Sequence, residues 1–423
     1  MLSLKYILDN KEDVIARLQI KNLDATSIVE KIEMLDIQRR TTQTEADSKQ
    51  ALLNKTSKQI GMLISQKKNE EAEQIKQQTN LYKQDIQNLQ NKLLEIEKEI
   101  NNLIISLPNI PHPSVPKGKT AEENEIMRTG GPQAIPNQGL AHWDLAKKYT
   151  LIDFELGNKI TGAGFPVYIG KGAKLQRALI TYFIDKAMAA GFTEVIPPFM
   201  VNESSAFGTG QLPDKENQMY HAELDNFFLV PTAEVPVTNI FRDVILNESE
   251  LPLKYTAYTP CFRREAGSYG KDVRGLNRLH QFDKVEIVVI EHPDRSYLQL
   301  EEMVKHVEML VSELNLPYRI VKLCGGDMSF TSALTYDVEV YSMAQQRWLE
   351  VSSVSNFESF QANRLKLRYK HAETKKNIPC HTLNGSALAL PRIVAALLEN
   401  NQTPNGINIP DVLIPYTKFA KIG

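Results

Sequence analysis

The chain has 423 residues and a formal charge of −2, from 49 Lys and Arg against 51 Asp and Glu. Net charge therefore points to no nucleic-acid partner, and only its local distribution can do so. A hydrophobic content of 42% suffices for a core, while three cysteines are too few for a disulfide framework and predict a reducing, cytoplasmic compartment. No 18-residue apolar stretch occurs and the first ten residues hold no apolar run, so we expect neither a membrane span nor a secretion signal.

Composition changes sharply at residue 107. Residues 1–107 contain no Pro, Phe, Trp or His and a single glycine, Gly61, whereas all 21 prolines and 15 phenylalanines of the chain follow Leu107. Prolines at 108, 111, 113 and 116 cannot continue a helix. We therefore predict a helical domain over 1–107 and a globular domain over 108–423, which includes the linker 108–116.

The N-terminal domain is predicted to be a short helix, roughly 4–18, followed by a helical hairpin over 27–107. The second long helix has residues at coiled-coil spacing, namely Ala72, Ile75, Thr79, Tyr82, Ile86, Leu89, Leu93, Ile96, Ile100, Leu103 and Leu107. The first helix matches at Ile28, Ile32, Leu35, Leu53, Thr56, Ile60 and Leu63, with a poor middle at Arg39, Thr42, Ala46 and Lys49. A polar turn at 66–70 would close an antiparallel arm about 60 Å long.

One stretch of this arm is basic. Between Ser48 and Asn69 there are five lysines (49, 55, 58, 67 and 68) and no acidic residue. A charge run of this kind is usually a solvated helix face. The alternative is an edge that contacts phosphates, and composition alone does not choose between the two.

The globular domain lacks the common nucleotide-binding loops. The segment from Gly164 to Lys171 is one residue too long for a P-loop, and Gly172 replaces the required Ser or Thr. Gly208 and Gly210 are followed by Pro213 where a dinucleotide fingerprint needs glycine. Helices interleaved with strands that pair through loops instead predict an α+β domain with a mainly antiparallel sheet.

The densest chemistry lies in residues 253–290, which are predicted to form a strand, a charged loop and a second strand. Alternation places Phe282 and Glu286 on one face of the second strand, next to Arg263 at the end of the first. An arginine, an aromatic ring and a carboxylate so placed can bind a phosphate, stack a base and hold an ammonium. A surface ladder of ion pairs is the simpler alternative.

Two further clusters carry charge. In residues 347–356, Glu350 and the hydroxyls that follow it are predicted at a strand end, as Mg²⁺ would require, although backbone amides could equally satisfy a buried Glu. In residues 384–400 a strand enters a helix whose first turn holds Pro391, and Arg392 stands at the positive end of the helix dipole. A cation there is expected to face an anion.

Three segments of the chain resemble the three signature motifs of class II aminoacyl-tRNA synthetases. The first is similar to 191–198, which in that class forms the dimer interface, and the other two surround Arg263 and Arg392. Within the class, the resemblance is to the seryl-tRNA synthetase family, through the segments 208–213 (GTGQLP), 232–234 (TAE), 280–286 and 384–386 (NGS). The hairpin arm and the proline linker match as well, so the resemblance covers essentially the whole chain.

The resemblance implies that the protein activates L-serine with ATP and transfers the seryl group to the 3′ end of serine tRNA, with selenocysteine tRNA as a further candidate. It implies catalytic roles for Arg263 on the α-phosphate, Arg392 on the γ-phosphate and Glu350, which with Ser353 would ligate Mg²⁺. ATP would be bound by Arg263, Arg264, Glu265, Leu279, Phe282, Glu350, Val351, Ser352, Ser353 and Arg392. Serine would be bound by Thr232, Ala233, Glu234, Arg263, Glu286 and Ser386, with support from Asn384 and Arg278.

The resemblance also makes phosphate contact with tRNA the favoured interpretation of Lys49, Lys55 and Lys58, and it implies a homodimer. The sequence departs from the usual pattern at Val354, Ser359, Asn363 and Ala387, which concerns local packing since the charged residues remain. No zinc is expected, because Cys324 and Cys380 lack a second Cys/His pair at suitable spacing. Two rival interpretations are a paralogue that acylates a non-tRNA acceptor and a coiled-coil scaffold with an inactive synthetase body.

Overall fold

The structure, a computed structural model, describes residues 1–134, 139–214, 217–265 and 274–423. The chain forms two compact units, one from residues 1–19 with 23–108 and one from 20–22 with 109–423. In the part of the chain that the structure describes, no helix combines the length and apolar character needed to cross a bilayer.

The first unit begins with two short helices, α1 (Leu4–Asp9) and α2 (Lys11–Leu18). The prediction of one helix over 4–18 is therefore wrong in one respect, because the helix breaks at Asn10. Asn10 leaves the helical region, with φ −131° and ψ 35°, and its backbone N–H donates to the Tyr6 carbonyl and ends α1. Its own carbonyl accepts from the Val14 N–H at 2.9 Å and so starts α2.

The rest of this unit is a hairpin of α3 (Thr26–Ser65) and α4 (Asn69–Ser106). The buried residues of α4 include a strict heptad series, Ala72, Thr79, Ile86, Leu93 and Ile100. In the middle of α3, where few residues of the coiled-coil spacing are apolar, Thr42 and Ala46 are still buried in the seam. The carboxylate of buried Asp36 accepts from Arg39 at 2.7 Å. The turn is tighter than predicted, because Lys67 adopts a positive φ of 61° and α4 starts at Asn69.

The second unit is an α+β domain, as predicted. Its strands are β1 (Glu125–Gly130), β2 (Ile152–Asp153), β3 (Val167–Tyr168), β4 (Thr193–Glu194), β5 (Met200–Asn202), β6 (His221–Ala222), β7 (Phe227–Leu229), β8 (Ile245–Asn247), β9 (Leu253–Phe262), β10 (Gln281–Glu291), β11 (Tyr318–Lys322), β12 (Leu334–Ser342), β13 (Arg347–Asn356), β14 (Arg368–Lys370), β15 (Asn377–Pro379), β16 (His381–Ala389), β17 (Gln402–Thr403), β18 (Gly406–Asn408) and β19 (Lys421–Ile422). Its helices are α5 (His142–Lys148), α6 (Phe154–Ile160), α7 (Gly170–Ala189), α8 (Glu203–Thr209), α9 (Glu234–Asn239), α10 (Ser296–Glu313), α11 (Phe360–Leu365), α12 (Leu390–Asn400) and α13 (Ile414–Thr417).

Eight strands form the central sheet, in the order β1-β11-β12-β13-β16-β10-β9-β4. All its neighbours are antiparallel except β4, which pairs parallel with β9 at the edge. Alternation sorts the two faces. On β10, Val285, Ile287 and Val289 belong to the apolar core with α7, α10 and α12, whereas Phe282 and Glu286 face the other way. The polar face of the sheet is therefore free to line a cavity.

Candidate active site

A cavity of about 640 Å³ lies on the polar face of the central sheet. It is lined by most of the side chains that the sequence analysis singled out, namely Thr232, Glu234, Arg263, Glu265, Leu279, Phe282, Glu286, Glu350, Val351, Ser352, Ser353, Ser386 and Arg392. These residues come from three separate strands and from the helices and loops beside them. The fold thus gathers residues up to 160 positions apart, from 232 to 392, into one site.

Two of the predicted site residues lie outside the cavity lining. The Arg264 guanidinium turns away, donates through Nε to the Met219 carbonyl at 3.0 Å and stacks over the Tyr220 ring at 4.8 Å. Ala233 is fully buried and packs against Val237 and Val288. The structure gives neither side chain a contact with the cavity, and any role that they have there stays a prediction.

Arg263 and Phe282 are neighbours at one end of the cavity. The pairing of β9 with β10 continues past the strand end, where the Arg263 N–H donates to the His280 carbonyl at 2.9 Å. The Arg263 guanidinium lies over the Phe282 ring, 5.2 Å from its centroid, and Nε donates to the Pro231 carbonyl at 3.3 Å. A cation and a flat aromatic surface are thus held side by side.

Glu265 is held by an arginine that comes from the other end of the loop. Its carboxylate accepts a short hydrogen bond from Arg278, and the arginine side chain is 42% exposed against 14% for the glutamate. Leu279, one residue further on, is buried and completes this wall. Residues 266–273 lie outside the described residues.

Glu350 and Ser353 reach the cavity because of a β-bulge. The sequence analysis placed Glu350 at a strand end, which is wrong, since β13 runs from Arg347 to Asn356 and Glu350 lies within it. In a regular strand a spacing of three residues puts two side chains on opposite faces. The register between β12 and β13 shifts between Val338 and Glu339, one extra residue is accommodated in β13, and the carboxylate and the hydroxyl share one face.

Arg392, at the start of α12, makes three contacts with the protein. Nη1 donates to the Glu350 carbonyl at 2.6 Å and lies 3.4 Å from the Glu350 carboxylate. Nε donates to the Asn277 carbonyl at 3.2 Å. Because its side chain is still 32% exposed, this guanidinium retains donors that face the cavity.

A buried carboxylate that the sequence analysis missed lies beside Glu350 and Ser353. Asp337 is opposite Ser353 in the β12–β13 ladder, and its Oδ1 is buried with no hydrogen-bond partner among the described residues. Burial, followed by the charge of Glu350, raises the pKa of the Asp337 carboxyl well above its usual range, against a hydrogen bond from Ser353. Two carboxyls and a hydroxyl are thus grouped on one patch.

The other end of the cavity carries two buried carboxylates, Glu234 and Glu286. Glu286 accepts from the Thr232 hydroxyl at 3.1 Å and lies opposite Ser386 in the β10–β16 ladder. Glu234 accepts from Gln361 Nε2 at 2.6 Å. Burial and the nearby charge of Glu286 raise the pKa of Glu234 to about 7. A cation bound between the two carboxylates would stabilise the charged form of both.

Sequence reasoning missed two residues of this end, Lys284 and Gln361. The Lys284 ammonium is 2.5 Å from Glu286 Oε2 and is buried. Alternation on β10 was sufficient to find it, since residue 284 lies between 282 and 286 on the same face. Gln361 arrives from α11 and is oriented by the Thr382 hydroxyl, which donates to Gln361 Oε1 at 2.7 Å, and no local pattern indicates this. When Glu234 is ionised, the carboxylates outnumber the ammonium by one, and this end then favours a cation.

The departures from the family pattern are accommodated by packing. Ser359 and Asn363 contact each other across one turn of α11, where Asn363 Nδ2 donates to Ser359 Oγ at 3.5 Å. A hydrogen bond thus links two of the departing positions. Val354 is fully buried against Gly385, where a Cβ atom would lie 3.1 Å from a Val354 methyl group, and Ala387 is fully buried as well.

The three arm lysines differ in their surroundings. Lys49 pairs across the hairpin with Asp85 at 2.8 Å, and this bond raises the pKa of the lysine above its usual range. Lys55 and Lys58 are exposed, and no carboxylate of the described residues pairs with them. Lys49 therefore stabilises the arm, whereas the other two present their charges to solvent.

No group of three or more His, Cys, Asp and Glu side chains is placed to hold a metal within the described ranges. All three cysteines, at 261, 324 and 380, are free and buried.

Comparison with known proteins identifies both units. The sequence model of the seryl-tRNA synthetase N-terminal domain matches residues 1–111, and that of the class II tRNA synthetase core domain for Gly, His, Pro, Ser and Thr matches 218–401. The chain is 50% identical to a serine–tRNA ligase of Salinibacter ruber over 425 aligned positions, covering 100% of this chain and 99% of the relative.

Solved structures agree over the full length. A seryl-tRNA synthetase from Pyrococcus horikoshii complexed with ATP superposes with a TM-score of 0.93 and 34% identity, covering 100% of this chain and 99% of that one. A cytoplasmic serine–tRNA ligase from Naegleria fowleri in complex with AMP gives 0.89 and 26%, covering 100% and 98%. Identity of this extent, over both units and across the cavity, means that the chain belongs to the seryl-tRNA synthetase family.

Proposed function

We propose that the protein is a serine–tRNA ligase that activates L-serine with ATP to seryl-adenylate and then transfers the seryl group to the 3′ end of serine tRNA. The observation that carries the proposal is the lining of one cavity, which holds two arginines, Arg263 and Arg392, together with two buried carboxylates and the hydroxyls beside them. The arginines match a triphosphate, and the carboxylates with the hydroxyls match an amino acid that carries a hydroxyl group.

In the first step, a serine carboxylate oxygen attacks the α-phosphorus, the bond to the bridging oxygen breaks and pyrophosphate leaves. Two anions must approach each other, so the protein has to neutralise charge and fix the geometry. Arg263 is assigned to the α-phosphate and the reacting carboxylate, and Arg392 to the γ-phosphate. In the second step, a hydroxyl of the terminal nucleotide attacks the carbonyl carbon and AMP leaves.

The adenine is assigned to the Phe282 end. Phe282 offers a ring for stacking, and Glu265, fixed by Arg278, an acceptor for the adenine amino group. Main-chain atoms at Leu279, Val351 and Ser352 complete the nucleotide contacts. Arg264 is assigned to contact through its main chain alone, since its side chain points to Tyr220.

The patch around Glu350 fits Mg²⁺. The Glu350 carboxylate and the Ser353 hydroxyl would hold the ion as oxygen ligands together with the phosphates, and the unpartnered Oδ1 of Asp337 lies on the strand opposite Ser353 as a further acceptor. When bound, Mg²⁺ would neutralise the phosphate oxygens and help to hold ATP bent.

Serine is assigned to the pocket formed by Thr232, Glu234, Glu286 and Ser386. The net negative charge at this end holds the ammonium, and the hydrogen-bonding groups that meet the hydroxyl would be left unpaired by alanine. Such a site discriminates by about 10⁴-fold or more. Threonine would have to be excluded by lack of room for its extra methyl group.

The arm is proposed to contact the tRNA backbone through Lys55 and Lys58, with Lys49 as a stabilising and contacting residue. Contacts of this kind recognise the shape of the tRNA backbone and discriminate little between base sequences. We further propose a cytoplasmic homodimer with the 191–198 segment in its interface. Selenocysteine tRNA is proposed as a second acceptor.

Pyrophosphate exchange tests the proposal. The purified protein should incorporate labelled pyrophosphate into ATP only with serine, not with threonine or alanine, and should then charge serine tRNA. Exchange without charging would favour the paralogue that serves a non-tRNA acceptor. Absence of exchange, with the protein folded, would favour the inactive scaffold.

A further inference from the structure

A buried polar network lies behind the nucleotide end of the cavity without lining it. Its centre is the hydrogen-bonded pair of His142, at the start of α5, and Glu399, near the end of α12, and both side chains are fully buried. Glu399 Oε1 lies 2.7 Å from His142 Nδ1 and also accepts from the His142 N–H and Gln345 Nε2, each at 3.0 Å. Its other oxygen accepts a short bond from the Ser342 hydroxyl.

These bonds keep Glu399 ionised and orient the histidine ring. Burial alone would raise the pKa of the Glu399 carboxyl, but the bonds from His142 and Ser342 hold it below its usual range. His142 Nε2 accepts from the Leu276 N–H at 2.8 Å, so the ring proton is on Nδ1 and is donated to Glu399. The Glu399 carboxylate therefore fixes the tautomer in which Nε2 carries no proton and can accept from the Leu276 N–H.

The loop residues beside Leu276 are fitted to α5. Arg274 stacks on the Trp143 ring at 4.5 Å. Gly275 has a φ of +67°, and a Cβ atom at this position would lie 2.2 Å from His142 Nε2. Only glycine allows the main chain to come this close to the imidazole.

Asn277, which follows Leu276, connects this segment to the cavity. Asn277 donates through Nδ2 to Gln345 at 3.0 Å, and its carbonyl accepts from Arg392 Nε at 3.2 Å. Arg278 holds Glu265, and Leu279 forms part of the wall. The groups proposed to meet the adenine edge or the γ-phosphate from this side are Glu265, Arg278, Leu279 and Arg392. Each lies within three residues of Leu276, which bonds His142, or is bonded to a residue that does.

We infer that His142 is a positioning residue for ATP. With Glu399 fixing its tautomer, it holds segment 274–279 so that the Asn277 carbonyl directs Arg392 and the Glu265–Arg278 pair faces the base. The inference rests on the proposed function of the cavity. It does not involve Thr232, Glu234, Glu286 or Ser386, the four residues assigned to the serine pocket.

A purely structural role predicts a different outcome from a positioning role. Loss of a buried hydrogen-bond network lowers the melting temperature and the fraction of active enzyme, but it leaves the KM values of the active molecules unchanged. Loss of positioning raises the KM for ATP and leaves the KM for serine unchanged.

The test compares two variants with a control. H142M removes both ring hydrogen bonds at similar volume, and H142Q retains one donor and one acceptor. H381M is the matched control, because His381 bonds the Ser296 hydroxyl at 2.7 Å and does not line the cavity. Melting temperature is measured alongside the KM for ATP and for serine in pyrophosphate exchange.

We expect H142M to raise the KM for ATP by about tenfold or more with the KM for serine within about twofold of wild type, and H142Q to recover most of the loss. H381M should lower the melting temperature without moving either KM. Equal changes in both KM values for H142M, or no change in either, would overturn the inference. If H142M does not fold, H142Q decides, since it must then show the same ATP-specific shift to a smaller degree. Failure of serine-dependent exchange in the wild type would instead refute the proposed function.

Discussion

Replacement of Glu234 by glutamine should make the protein more stable at pH 8 while removing its ability to use serine. Glu234 is only 7% exposed, its neighbour Glu286 is also negative, and its pKa is raised to about 7. A carboxyl whose pKa is higher in the folded than in the unfolded state binds its proton more tightly when folded. Folding is then favoured at low pH and loses stability as pH rises from 4.5 through 7.

The magnitude follows from the two pKa values. The interval between the ordinary value of 4.5 and about 7 corresponds to about 3 kcal/mol above pH 7, at about 1.4 kcal/mol per pKa unit. At pH 5 the same arithmetic leaves less than about 1 kcal/mol. Glutamine carries no charge to desolvate, and its carbonyl oxygen can still accept from Gln361. E234Q should therefore melt roughly 4 °C above the wild type at pH 8, with the difference mostly lost at pH 5.

The assay is thermal melting at both pH values together with serine-dependent pyrophosphate exchange. The wild-type KM for serine should fall as pH rises from 6 to 8, because the ionised carboxylate attracts the ammonium, and E234Q should show little serine dependence. E291Q is the control, since Glu291 is equally buried but pairs with Arg295 at 2.9 Å outside the cavity. That variant should be less stable at both pH values. An E234Q protein no more stable than wild type at pH 8, or equally shifted at pH 5 and pH 8, would refute the raised pKa.

Two further predictions concern the arm and the metal patch. The double variant K55Q/K58Q should weaken tRNA charging, with a shallower dependence of the tRNA KM on salt by roughly one to two counterions, while pyrophosphate exchange is unchanged; a parallel loss of both activities would contradict the arm assignment. D337N should raise the Mg²⁺ concentration for half-maximal exchange several-fold without changing the KM for serine, because an amide cannot become anionic beside the metal as a carboxyl can; an unchanged Mg²⁺ dependence, measured by titration, would show that Asp337 is structural.

The sequence predicts elements better than it predicts where they meet. Alternation on 281–290 correctly places Phe282 and Glu286 on one face, because a strand that is buried on its other side has no freedom of register. The heptad spacing of α4 is equally reliable, since each seam residue meets only the facing helix. The same alternation places Lys284 on that face as well.

Tertiary features explain the rest. The position of Glu350 depends on a bulge that only the pairing with β12 reveals, and the orphaned oxygen of Asp337 becomes apparent only when that pairing is known. Gln361 and His142 act through partners more than 100 residues distant, Glu234 and Leu276 respectively. Hydrogen-bond geometry between such distant residues leaves no periodicity in the sequence.

The contacts of Arg392 suggest how a cavity so rich in charge remains stable and yet binds a charged nucleotide. Arg392 lies 3.4 Å from the Glu350 carboxylate, so each neutralises the other within the protein. In the proposed mechanism the Glu350 carboxylate would hold Mg²⁺ and the Arg392 guanidinium would hold the γ-phosphate of ATP, so this pair would separate when both bind. Two charge-assisted interactions would replace one, and neither charge would be left without a partner. Either partner of the substrate alone would leave one of these charges without its counterpart, which favours binding of the metal and the triphosphate together.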